Sequence, residues 1–168
     1  MRVFTRVSAA VAVSLSLAAT AAQAQTASAN INARADVRQQ ITVTGVRDLD
    51  FGVVIQGVNK TVGVVSASSG QYSSTGTSAA NVAITFTLPV NLASGANNLA
   101  INTWTGCYNG AAANASVGCT AFTPAAAATN TTFGAAGLFV FVGATVAPTA
   151  AQPVGIYTSA VTMTLTYF

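Results

Sequence analysis

The stretch NINARADVRQQITVT, residues 30–44, decides the fold. Its odd positions carry Ile31, Ala33, Ala35, Val37, Gln39, Ile41 and Val43. Its even positions carry Asn30, Asn32, Arg34, Asp36, Arg38, Gln40, Thr42 and Thr44. Successive side chains of a strand point to opposite faces, so this order makes one face apolar except for Gln39 and the other wholly polar. The spacing predicts a long strand, or two collinear strands, with one buried face.

Downstream the same alternation recurs in shorter pieces. Residues 49–55 and 61–66 are β-branched, and the intervening Gly57-Val58-Asn59-Lys60 predicts a hairpin or a pair of neighbouring strands. Residues 66–80 are rich in Ser, Gly and Thr and read as a loop, with a short strand at Gln71-Tyr72-Ser73. In residues 82–90, Val82, Ile84, Phe86, Leu88 and Val90 share a face. Pro89 lacks an amide donor, so the strand ends there or runs along an edge. A Ser94-Gly95 turn precedes a strand over 99–104, and residues 106–136 read as an irregular excursion. Residues 137–147 are almost continuously apolar, as in a strand buried on both faces. The last segment, 155–168, places Tyr157, Val161, Met163, Leu165 and Tyr167 on one face. About seven short strands with Gly, Ser and Asn turns and no amphipathic helix predict an all-β fold, a β-sandwich.

Upstream, Arg2 and Arg6 precede an apolar run over residues 7–19, followed by Ala22-Gln23-Ala24, the small-x-small pattern of a cleavage site. Residues 1–24 are therefore expected to be a signal peptide, and the run is short of the ~20 residues that span a bilayer. The chain is expected to be exported.

Charge excludes several functions. After residue 24 the charged residues are Arg34, Asp36, Arg38, Arg47, Asp48, Asp50 and Lys60, and residues 61–168 contain none. No positive field exists to attract nucleic acid or anionic lipid. With no His and no Glu, the carboxylates are Asp36, Asp48 and Asp50. General acid–base or nucleophilic catalysis has too few groups to work with. No catalytic residue, metal ligand, cofactor or small-molecule substrate is expected. Asp48 and Asp50 read as a solvated turn partnered by Arg47 rather than as Ca²⁺ ligands. Cys107 and Cys119 are expected to form a disulfide across a loop of little packing capacity. Trp104 and Tyr108 flank Cys107, and Trp104 is expected in the core beside that bond rather than exposed for glycan contact.

The two ends carry the functional reading. The first strand either closes its own sandwich or leaves its domain to complete a neighbour's sheet, and alternation suits both uses. An open sheet edge is normally blunted by charge, which this chain lacks after Lys60.

The C-terminus resembles the signature of chaperone–usher pilus subunits. Tyr167 is penultimate, Gly155 stands fourteenth from the end, and Tyr157, Val161, Met163 and Leu165 alternate between them. Asp48-Leu49-Asp50-Phe51-Gly52, the segment 83–89 and Gly155-Ile156-Tyr157 are similar to the bacterial family called domain of unknown function 4402, whose members are secreted and pilin-like. They are similar in outline to spore-coat-U and archaic pilin domains. The likeness spans most of residues 25–168, although many pilins clamp a strand near the N-terminus with cysteines and this chain does not. The resemblance implies an immunoglobulin-like β-sandwich, residues 39–168, that is incomplete. It would be completed by an N-terminal extension, residues 25–38, with Ile31, Ala33, Ala35 and Val37 as the donor face. Gly155, Tyr157, Val161, Met163, Leu165 and Tyr167 would belong to the C-terminal strand beside the acceptor groove. The implied partners are other copies of the chain, a periplasmic chaperone and an outer-membrane usher. The implied location is the periplasm in transit, then a surface filament of a Gram-negative bacterium.

Overall fold

The computed structural model describes residues 25–111 and 116–168; the expected signal peptide lies outside the described residues. Two units are distinguished, Met1–Ala35 and Asp36–Phe168. Residues 25–35 of the first contain neither helix nor strand. The second is all-β.

Among the described residues there are ten strands and no helix: β1 (Thr42–Arg47), β2 (Lys60–Val62), β3 (Gly70–Thr75), β4 (Asn81–Thr87), β5 (Asn91–Ser94), β6 (Asn97–Asn109), β7 (Thr120–Phe122), β8 (Thr129–Thr132), β9 (Leu138–Ala147) and β10 (Thr162–Tyr167). The larger sheet runs β1-β3-β9-β6-β5, with β2 also on β9 and β7 also on β6. The smaller runs β10-β4-β8, and every pairing is antiparallel. This is the expected all-β, sandwich-like architecture.

Strand β9 is central because it has no polar face to expose. Leu138, Val140, Val142, Ala144 and Val146 point inward and are fully buried, and Phe141 is buried as well. Opposite them, β4 contributes Val82, Ile84 and Phe86, and β10 contributes Met163 and Leu165. With Phe133 these form an upper core between the two sheets. At ~1.5–3 kcal/mol per fully buried large apolar side chain, this cluster dominates the domain's stability.

A second cluster lies further down the larger sheet: Phe51, Val62, Leu99, Ile101, Ala144 and Val146. Its members come from β2, β6, β9 and the coil after β1. None comes from the smaller sheet, which stops short of it.

Several expectations are corrected. The alternating stretch does not form one long strand: residues 25–41 are coil, and β1 begins at Thr42. Residues 49–55 form no strand, and β2 pairs with β9 rather than in a hairpin with them. Val90 is exposed, because β4 ends at Thr87 before Pro89 can interrupt the ladder. Residues 106–136 are not irregular throughout: among the described residues β6 continues to Asn109, and the short strands β7 and β8 follow with coil between them.

The reason β6 is hard to read is a bulge. Asn102 pairs with Thr145 and Thr105 with Gly143, so Thr103 and Trp104 together oppose Ala144. Thr103 takes φ = 51°, unusual for a β-branched residue. The extra residue moves the inward set from Leu99 and Ile101 to Trp104 and Tyr108, which pack on the lower and upper clusters respectively. Cys107 then faces the opposite way, paired with Phe141, and bonds Cys119 across a Cα–Cα distance of 5.7 Å.

Candidate functional site

Where the smaller sheet stops, the lower core is roofed by two coil segments instead of strands. One follows β1, residues 47–56. The other precedes β10, residues 153–161. Between them opens a groove of about 1020 Å³. Its floor is the larger sheet, with Tyr72, Leu99, Ile101, Val142 and Val146 among the lining residues. Leu49, Phe51, Val54 and Tyr157 line it from the two lips.

Each lip is pinned by polar contacts that hold the groove's shape. On the first, the Asp50 amide donates to Ser68 O at 3.0 Å, and Gly52 N–H donates to Asp50 Oδ1 at 2.7 Å. Gly52 has φ = 57°, a left-handed conformation that glycine adopts without steric cost. Lys60 Nζ donates to Val53 O at 2.8 Å. Arg47 does not partner the aspartates as expected; its guanidinium donates to Ser69 O and Ser69 Oγ, at 2.7 and 2.9 Å. Ser69 is fully buried, so its oxygens have no water to turn to and hold the arginine.

On the second lip, Ala93 and Thr158 exchange a pair of backbone hydrogen bonds at 2.9 and 3.0 Å, tying it to the edge strand β5. Buried Gln152 donates through Nε2 to Asn98 O at 3.0 Å and to Tyr157 Oη at 2.9 Å, and Tyr157 donates to Pro153 O at 2.7 Å. At the lower end the lips converge, with Gly57 N–H on Thr149 O at 3.0 Å and Gln56 Nε2 on Gln152 O. At the upper end Tyr72 Oη donates to Val161 O at 2.6 Å. Burial, and secondarily the Asp48 charge, holds the Tyr72 phenol above its usual pKa, so it remains a donor.

The rim is apolar. Val53 and Ile55 on one lip, and Val154 and Ile156 on the other, are exposed. Exposed apolar side chains around a cleft are the usual mark of an interaction site. The backbone points the same way. Strand β1 is laddered to β3 and β10 to β4, and among the described residues neither has a ladder on its other side.

The residues singled out from sequence fall in different places. Gly155, Tyr157 and Val161, expected in the C-terminal strand, are instead coil before β10 and line the groove. Met163 and Leu165 are buried in the upper core, and Tyr167 packs against that core at the far end of β10. Ile31, Ala33, Ala35 and Val37 are exposed coil. The groove residues not foreseen, chiefly Leu49, Val54, Leu92, Gln152 and Val154, come from coil or a short edge strand, where no periodicity marks a face. Among the described residues, no cluster of His, Cys, Asp and Glu suits a metal ion. No protein-family model, curated protein or solved structure matches the chain.

Proposed function

We propose that this chain is an exported structural subunit of a fimbria-like surface filament assembled by donor-strand complementation. The observation that carries the reading is the lower core covered by coil lips instead of strands: a groove with an apolar floor that the smaller sheet does not reach, opening beside the end of β1. The occupant is residues 25–38 of a second copy, whose apolar face is patterned for a half-buried strand while the segment itself forms none. Such a subunit works mechanically, supporting adhesion or biofilm formation, and needs no catalytic group. The likeness to chaperone–usher and spore-coat-U type subunits supports the same reading, with a chaperone and an usher as transport partners.

The test is the size of surface-sheared protein on a denaturing gel, run unheated and boiled. The expected result is a ladder of multiples that collapses to one band on boiling. One monomer band in both lanes, from folded protein, would mean that the N-terminal segment closes its own domain and the chain is a secreted binding module.

A further inference from the structure

Tyr167 sits at the opposite end of β10 from the groove, where it holds the point at which the chain enters the domain. Its hydroxyl donates to Gln39 O at 2.8 Å and accepts from Thr77 N–H at 2.7 Å. Gln39 N–H donates to Thr77 Oγ1 at 2.7 Å. The Arg38 guanidinium carbon lies 5.3 Å from the Tyr167 ring centroid, and that ring packs on Phe133 at 6.0 Å. The space is closed: a Cβ on Gly76 would fall 2.5 Å from the Phe133 ring and 2.6 Å from Tyr167 Oη. Both backbone groups of Gln39 are thus engaged. Two residues later Ile41 packs on the upper core, and β1 starts at Thr42.

This bears on how a groove can be filled. The groove meets β1 at Gly45 and Arg47, and a segment preceding β1 could reach it along the free edge of that same strand only by reversing direction in a hairpin loop. Hairpin loops take about 2–5 residues, which places the reversal at residues 38–41. Those are the residues held by Tyr167, Thr77 and the core. Resting on the filament reading above, the geometry points to a specificity device: the Tyr167–Gln39–Thr77 clamp blocks the turn needed for self-closure and reserves the groove for the tail of a second copy. It is a block against the wrong partner, here the chain itself, rather than an added attraction for the right one.

The test uses full-length mature protein refolded from denaturant, with a labelled peptide spanning residues 25–40 as probe. Tyr167→Phe keeps the ring and removes both hydroxyl contacts; Thr77→Val removes only the acceptor for Gln39 and serves if the first variant folds poorly. The clamp variants are expected to give mostly monomer, with peptide uptake at least tenfold below wild type because their own tails fill the groove. Adding Ile31→Asp and Val37→Asp to a clamp variant makes its tail unfit for an apolar groove and is expected to restore peptide uptake. A merely structural loss would not be rescued in this way. Clamp variants that ladder and bind peptide like wild type would overturn the inference and leave the filament reading standing. Wild-type protein that neither ladders nor binds peptide would overturn both.

Discussion

Replacing Ile31 and Val37 together by aspartate separates the two uses open to the N-terminal segment, closing its own domain or completing a neighbour's as proposed above. Their exposures are 94% and 91%, so in the free subunit the change should alter folding stability by no more than about 0.5 kcal/mol. In a neighbour's groove each side chain would be buried, at ~1.5–3 kcal/mol apiece, so the pair removes ~3–6 kcal/mol. Every 1.4 kcal/mol is tenfold, which makes the subunit–subunit equilibrium weaker by roughly two to four decades. Burying an unpaired carboxylate adds to the loss. The assay is a thermal melt of the subunit beside the unheated-gel ladder. The melting temperature should move by less than about 2 °C, since roughly 3 °C accompany each kcal/mol at this size, while the ladder disappears. A drop of roughly 10 °C or more on that scale with an intact ladder would refute the reasoning. It would place these side chains in their own domain.

Removing the disulfide with Cys107→Ser and Cys119→Ser should cost about 2–3 kcal/mol in chemical denaturation. Peptide uptake should persist, because neither cysteine lines the groove. Gly134→Ala would put a Cβ 1.3 Å from Gly110 O, with no flexible side chain to yield, and should destabilise by more than about 4 kcal/mol. Gly45→Ala, which meets nothing within 4 Å, is the near-neutral control in the same melt. The raised pKa of Tyr72 sets a pH limit: the stability it contributes is fully present below the unfolded value of about 10 and is lost as pH rises through the folded one. The denaturation midpoint should therefore fall in alkali, and Tyr72→Phe should remove that part of the fall.

Legibility followed periodicity. The inward faces of β4 and β10 and the burial of β9 were readable because Val82, Ile84 and Phe86, or Met163 and Leu165, alternate without interruption. β6 reads only to Trp104 in the sequence, because one extra residue at Thr103 reverses which parity faces inward and a period-two pattern ends there. Residues 30–41 misled for a different reason. Their alternation is genuine, yet alternation states that a face suits burial and says nothing of which molecule buries it. Gly155, Tyr157 and Val161 line the groove from a C-terminal segment whose alternation is legible as a whole, though the strand itself begins only at Thr162. Its opposite lip was not foreseen: residues 47–56 are coil whose shape depends on Ser68 and Ser69, distant partners that local pattern does not encode.

The placement of charge adds a last step. Every charged residue after residue 24 lies either on the N-terminal extension and its junction (Arg34, Asp36, Arg38) or on the chain from β1 to β2 (Arg47, Asp48, Asp50, Lys60). The first group occupies the polar face of the candidate donor, and Arg47, Asp48 and Asp50 line the groove. A donor running beside that lip would bring the two groups together, and charges so placed select register and orientation more than they add affinity. Asp36 and Arg38 already pair with each other at 3.0 Å, which lowers what either offers a neighbour. Exposed pairs contribute ~0.2–1 kcal/mol and are screened within about 10 Å at 0.1 M salt. Assembly should therefore slow on adding salt by less than about tenfold, measured as the rate of peptide uptake. A loss of several decades would show that charge rather than apolar burial drives the strand into place.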